Sequence, residues 1–321
     1  MILIAPDKFK GTYTAAGICS LAASRLSSGG IDRPLRLAPV SDGGEGAARA
    51  FMPQGKEIAK GVYQHGDTRL LVSSEIIGFD AFKDSGIPLM QRSSIALGRA
   101  ADPHFHTLIA VGGTAISDCG AGFLQGLGAK FYDADDRLIS EPLCPATLSS
   151  VCRADLSEIK NYKFKGIVDV RASLTEGKLT ALDFAQQKAL PGEDLSALAH
   201  AMSHFGKVIG GHSEWDGAGG GLGYALASVC GAECMSGAEA AVESLNVNWK
   251  DVELVITGEG CVDMQTVSGG KLVDAIYRKA SSLSIPTLIL YGCRKGSLPY
   301  PHLAQINSDW EKTVKELLSN H

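Results

Sequence analysis

Carboxylates and glycines occupy the same short stretches of this chain, and that pairing points to anion and metal chemistry. Val111-Gly112-Gly113-Thr114-Ala115-Ile116-Ser117-Asp118-Cys119-Gly120-Ala121-Gly122 follows the apolar run 107–111 and precedes Phe123-Leu124-Gln125-Gly126-Leu127-Gly128. It reads as a strand, a glycine turn and a helix. The glycines let backbone approach a ligand, and the exposed amides with the helix N-terminus favour an anion such as phosphate. Thr114 and Ser117 add hydroxyls, and Asp118 is placed to hold a divalent cation beside the phosphates. The spacing is neither that of a P-loop, which ends Gly-Lys-Ser/Thr, nor that of the dinucleotide fingerprint. Such a turn also serves as a plain connector, but three more occur in the same chain.

Asp7-Lys8-Phe9-Lys10-Gly11 ends the first strand, where open α/β sheets bind ligands, and Lys10 is in a position to meet a phosphate or carboxylate. Ser41-Asp42-Gly43-Gly44-Glu45-Gly46 lies between a strand and a helix. Its acids can hold magnesium or accept a proton; the alternative is a tight turn with Ser41 or Asp42 as N-cap. Asp216-Gly217-Ala218-Gly219-Gly220-Gly221-Leu222-Gly223 enters an apolar helix at 224–229, and its glycines permit nucleotide approach, hinge motion or close helix packing. Gly258-Glu259-Gly260-Cys261-Val262-Asp263 again joins glycines to acids. Gly269-Gly270-Lys271 opens a further helix, where a lysine is disfavoured unless an anion is bound. Asp169 lies among apolar residues in an expected strand at 165–171, as a cap or as a base with a raised pKa.

The elements that position these residues alternate. Strands are expected at 2–5, 36–40, 107–111, 251–257 and 286–292, and helices at 15–26, 47–51, 93–100, 224–229, 272–280 and 310–318, the first with Thr14 as N-cap. Residues 57–78 alternate polar and apolar between turn residues, which marks antiparallel strands and a break in the strand-helix rhythm. The class is α/β. With 321 residues, 45% of them hydrophobic and 20% charged, the chain can bury a sizeable core in one large or two ordinary domains. A net charge of -5 and a pI near 5.9 leave no basic footprint for nucleic acid. The N-terminal apolar run is too short for a signal peptide and no run approaches a membrane span, so a soluble cytoplasmic protein is expected. The eight cysteines lack zinc-ligand spacing and read as reduced, mostly buried thiols, with Cys119 and Cys261 the accessible ones in their glycine turns.

Taken together, six stretches resemble the bacterial glycerate kinases of the type I (glycerate 2-kinase) family, in the family's order and over nearly the whole chain. They are Ile4-Ala5-Pro6-Asp7-Lys8-Phe9-Lys10-Gly11, Pro39-Val40-Ser41-Asp42-Gly43-Gly44-Glu45-Gly46, Val111-Gly112-Gly113-Thr114-Ala115, Asp118-x-Gly120-Ala121-Gly122, Gly217-Ala218-x-Gly220-Gly221-Leu222-Gly223 and Ile256-Thr257-Gly258-Glu259-Gly260. The resemblance implies ATP- and magnesium-dependent transfer of phosphate to a hydroxyl of D-glycerate, with a 2-phosphate product. It also implies two α/β domains with the site in the cleft between them. One is a Rossmann-like three-layer domain at 1–56 and 250–321; the other is an inserted α/β domain with a mixed sheet at 57–249.

On this reading Asp169 is the base for the attacking hydroxyl, and Asp42, Asp263 and Lys10 are the other catalytic candidates. Asp42 and Asp118 are the candidates for magnesium. Gly112, Gly113, Thr114, Gly217, Gly220 and Gly221 face the nucleotide, and Asp7, Lys271 and Glu259 face the substrate. The partner is a small molecule, glycerate, with no nucleic acid and no membrane, and a homodimer is left open. The chain departs from the family at Ala172-Ser173-Leu174, where Asn-Pro-Leu is usual, at Ala185-Gln186-Gln187-Lys188-Ala189, where Gly-Pro-Gln-Lys-Gly is usual, and at Cys261, where arginine is usual. Two other readings stand beside this one: a kinase for another small hydroxy acid, and a family member that binds ligand without turnover.

Overall fold

Ile2-Leu3-Ile4 is buried throughout, and the computed structural model shows why: the strand is an interior one in a parallel sheet covered on both faces. The structure describes residues 1–188, 191–268 and 271–319. Ala189 and the Gly269-Gly270 turn before Lys271 lie outside them. The chain divides into two compact units, Met1–Asp42 with Arg49–Pro53 and Gly237–His321, and Gly43–Ala48 with Gln54–Ser236. The boundaries of these units fall at 42/43, 48/49, 53/54 and 236/237. The helix Gly237–Ser244 groups with the first unit because its Ala241 is buried with Leu3, Val255 and Ile276.

The first unit begins with β1 (Ile2–Ile4), the helix Ala15–Ser28 and β2 (Leu35–Leu37). Thr14 caps that helix, its side chain accepting from the amide of Gly17 at 3.1 Å. β2 is shorter than the expected 36–40, although Ala38 N still donates to Ile4 O and Val40 N to Pro6 O. The second unit carries β3 (Lys56–Ala59), β4 (Val62–His65), β5 (Thr68–Val72), β6 (His106–Ala110), β7 (Lys130–Tyr132), β8 (Arg153–Asp155), β9 (Lys163–Val168) and β10 (Glu233–Ser236). The chain returns to the first unit for β11 (Leu254–Val262), β12 (Thr287–Arg294) and β13 (Leu303–Gln305).

The first sheet runs β13-β12-β11-β1-β2 with every pairing parallel. Alternation along a strand sends its residues to two opposite layers. Ile2, Ile4 and Ile256 meet Ile18, Leu26 and Trp310 on one face, and Leu3, Ala5 and Val255 meet Leu272 and Ile276 on the other. The second sheet runs β10-β9-β6-β5-β4-β3 and is mixed, since β3, β4 and β5 are antiparallel neighbours and the other pairs are parallel. These three strands account for the alternating segment only as far as Val72; Ser73–Ile76, expected to continue it, is helical. Ile109, Val168, Phe123, Leu124, Leu222 and Tyr224 belong to the core of that unit.

The strand order of the first sheet reverses between β1 and β11. From β1 the chain moves to β2 on one side, and from β11 to β12 and β13 on the other. The loops at their carboxyl ends therefore part company there, which opens a ligand crevice in open parallel sheets.

Candidate active site

At that switch point Asp7 follows β1 after Ala5 and Pro6, with its amide donating to Gly258 O of β11 at 2.9 Å. Its Oδ1 accepts from the amide of Lys8 at 2.7 Å. Lys8 Nζ stands 3.7 Å from Asp42 Oδ1, on the loop that follows β2. Burial, then repulsion from Asp42 and Glu259, lifts the Asp7 carboxyl to about 6 against the pull of Lys8. Burial also raises Glu259, whose Oε1 accepts from Thr266 Oγ1 at 2.7 Å. Asp263 Oδ1 accepts from the amide of Thr266 at 3.2 Å and lies 4.0 Å from Lys271 Nζ. The first unit thus gathers Asp7, Asp42, Glu259, Asp263 and Lys271 around one end of its sheet. Lys10 is exposed on the same loop as Asp7.

In the second unit the main chain after β6 stays close to β9, with Val111 N donating to Ile167 O at 2.9 Å. Gly112 touches the 43–44 segment so closely that an added Cβ would stand 2.9 Å from Gly44 N. Gly113 is exposed with a positive φ of 76°. Thr114 is buried and donates to Gly219 O at 3.0 Å. The turn at 217–221 lies against this loop: Cys119 N donates to Gly220 O at 3.2 Å, and a Cβ at Gly221 would stand 3.0 Å from Cys119 N. Gly219, Gly220 and Gly221 all have positive φ. These glycines have a packing reason of their own, whatever ligand approaches Gly113.

Lys188, on the 3₁₀ turn Gln186–Lys188, is buried behind both loops. Its Nζ donates to Ile116 O at 2.7 Å and to Thr114 Oγ1 at 3.4 Å. Burial lowers the ammonium to about 8, against the opposing attraction of Asp169 and Asp118. Asp169 is exposed just beyond β9, at the carboxyl end of a parallel strand and not inside the expected strand 165–171. Charge separates Lys188 from its polar neighbours Gln186 and Gln187, but nothing in the sequence tells that it is buried.

Three expectations are corrected. Asp118 is not an open metal ligand: it is fully buried, and its carboxylate accepts from Ser94 N, Ser94 Oγ, Gly120 N and Gly122 N at 2.7 to 3.3 Å. Asp118 also takes the place assigned to phosphate at the N-terminus of the helix Ala121–Gly126, since it and Ser94 occupy the amides of Gly120, Gly122 and Phe123. Cys119 is buried and burial holds its thiol well above the ordinary range, so it is not an accessible thiol; Cys261 is not free, being joined to Cys293. Among the described residues no helix is long and apolar enough to cross a membrane.

The α/β fold of the first unit sets acids at the switch point of a parallel sheet, where small-molecule ligands bind. The glycerate kinase family model matches residues 2–309, and the chain belongs to that family. It is 28% identical to a glycerate kinase of Bacillus subtilis (strain 168), over 94% of this chain and 87% of that one. It is 28% identical to the glycerate 2-kinase of Escherichia coli (strain K12), over 84% of this chain and 79% of that one. A solved structure assigned to glycerate kinase 2 of Salmonella typhimurium LT2 shares the fold, with a TM-score of 0.77, 24% identity, and coverage of 99% of this chain and 94% of that chain. The protein is a kinase of small-molecule type, and membership of a kinase family implies use of ATP.

Proposed function

We propose that the protein phosphorylates the 2-hydroxyl of D-glycerate with ATP and magnesium, and that Asp7 accepts the hydroxyl proton. The observation that carries the reading is the position of Asp7 at the switch point of β1 and β11, with its amide on Gly258 O next to Glu259 and its neighbour Lys8 3.7 Å from Asp42. A carboxyl lifted to about 6 is matched to proton transfer near neutral pH. The role expected of Asp169 passes to Asp7 on this reading, and the charge of Asp169 acts to keep Lys188 protonated.

Magnesium fits the carboxylates of the first unit. Asp42 and Glu259 both add to the repulsion on Asp7, and a divalent cation relieves such a cluster. Among the described residues no group of three or more His, Cys, Asp or Glu forms a metal cage. Magnesium needs none, since one or two carboxylates with phosphate oxygens and water suffice. Bound there, the ion would neutralise charge on the transferring phosphoryl group. Asp42 and Glu259 hold it, Lys10 and Lys271 receive the carboxylate of glycerate, and Asp263 orients a hydroxyl. Gly112, Gly113 and Thr114 of the second unit receive the nucleotide phosphates, with Gly217, Gly220 and Gly221 supporting that loop.

As the bond from the glycerate oxygen to the γ-phosphorus forms, the bond to the β,γ-bridging oxygen breaks. ADP leaves and the proton passes to Asp7. Phosphorus NMR of the product from ATP, magnesium and D-glycerate tests the reading. The 2-phosphate is expected; a 3-phosphate rejects the regiochemistry, and no phosphoglycerate rejects the activity.

A further inference from the structure

β11 and β12 extend beyond the rest of their sheet. β1 pairs with β11 over Ile2↔Leu254 to Ile4↔Ile256, and β13 pairs with β12 as far as Tyr291↔Gln305, whereas β11 and β12 stay in register to Val262↔Arg294. Their ends form a two-stranded ribbon, a structure that is marginal without support. Directly opposite on it stand Cys261 and Cys293, with Cα atoms 4.5 Å apart and their sulfurs joined. Alternation puts Cys261 on the same strand face as Glu259. Asp263 follows two residues later, and Thr266 reaches back to Glu259. At the ribbon's flank a Cβ on Gly260 would stand 3.1 Å from Phe9 Cα and 3.2 Å from Lys10 N. The cross-link therefore fixes the segment that abuts the loop of Asp7 and Lys10. Cys293 is exposed and Cys261 partly so, whereas Cys19, Cys119 and Cys144 are buried.

We propose that Cys261 and Cys293 form a thiol–disulfide exchange site through which low-molecular-weight thiols set the affinity of the enzyme for glycerate. The proposal rests on the assignment of Asp7 as the base and of Lys10 to the carboxylate of glycerate. An external thiolate attacks Cys293 Sγ, the Cys261–Cys293 bond breaks, and Cys261 leaves as a thiolate that takes up a proton. A second external thiolate attacks the external sulfur of the mixed disulfide. Cys293 leaves and is protonated, and the two external thiols depart joined as a disulfide. Two electrons and two protons pass to the protein. The freed ribbon then holds Glu259 and the Phe9–Lys10 segment less firmly.

The full chain is equilibrated in glutathione buffers of graded ratio. One portion is quenched by alkylation for peptide mass spectrometry and another is assayed for phosphoglycerate. Cys261 and Cys293 are expected to become alkylated together along one transition, with the KM for glycerate rising about fivefold or more on reduction. Cys261→Ser and Cys293→Ser keep the reduced-state KM in every buffer. Alkylation of both cysteines in all buffers overturns the proposal, as does a transition that leaves KM and kcat unchanged. Lys10→Met, assayed beside them, separates the two claims: a buffer-dependent KM that this variant leaves unaltered supports the exchange site and removes Lys10 from the substrate side.

Discussion

Lys188 Nζ donates to the main-chain oxygen of Ile116 at 2.7 Å, and so ties the turn after the helix Ala181–Ala185 to the loop that follows β6. The same ammonium reaches Thr114, which holds Gly219. One buried cation thus fixes two glycine loops with respect to each other.

That burial has a pH signature. The folded-state pKa near 8 lies below the ordinary 10.5, so between those values the unfolded chain keeps a proton that the folded chain has released. This group's contribution to stability therefore rises with pH from about 8 to about 10.5, and its cost is fully present below 8. Denaturant unfolding of Lys188→Met beside the wild type is expected to show that rise only in the wild type. Equal pH dependence in the two would contradict it. The variant should also lose ATP affinity, through a loosened 112–114 loop.

Asp118→Ala leaves the amides of Ser94, Gly120 and Gly122 without their buried acceptor, at a cost of about 3–5 kcal/mol in urea unfolding. Asp118→Asn should cost less and leave the magnesium dependence of turnover in place. A raised magnesium requirement in that variant, with stability unchanged, would restore Asp118 as a ligand.

Gly221→Ala combines a φ of 92° with a Cβ placed against the backbone of Cys119. A loss of about 2 kcal/mol or more is expected from thermal unfolding, since both strain and displacement act. A neutral substitution would show that the turn is slack.

Thr266→Val removes the donor to Glu259 and the acceptor for the amide of Asp263. Steady-state kinetics should show the magnesium concentration for half-maximal turnover raised about tenfold, in line with a hydrogen bond to a charged group. An unchanged magnesium requirement with a lowered melting temperature would give Thr266 a structural role only.

Much of this was legible in the chain because it is local. The Thr14 cap acts across three residues, the antiparallel strands show their alternation up to Val72, and Glu259 in β11 stands between two glycines. What was not legible depends on partners distant in sequence. Ser94 lies 24 residues from the carboxylate of Asp118, Cys293 lies 32 from Cys261, and Lys188 lies 72 from Ile116. The cysteine pair exists only because β12 docks on β11 in one register, which no spacing in the sequence announces. A helix N-terminus read as a phosphate site was already occupied by the chain's own carboxylate, a substitution that composition cannot reveal.

The most direct test of the central claim is phosphoglycerate formation from ATP, magnesium and D-glycerate by the wild type, Asp7→Asn and Asp169→Asn, with kcat/KM followed from pH 5 to 8. The expected result is an acid limb below pH 6 in the wild type, because magnesium on Asp42 and Glu259 removes their repulsion and leaves burial to hold the Asp7 carboxyl up, a loss of about a hundredfold or more in Asp7→Asn with that limb absent, and a smaller loss in Asp169→Asn with the limb kept. Full activity in Asp7→Asn with collapse in Asp169→Asn would contradict it and return the base to the end of β9.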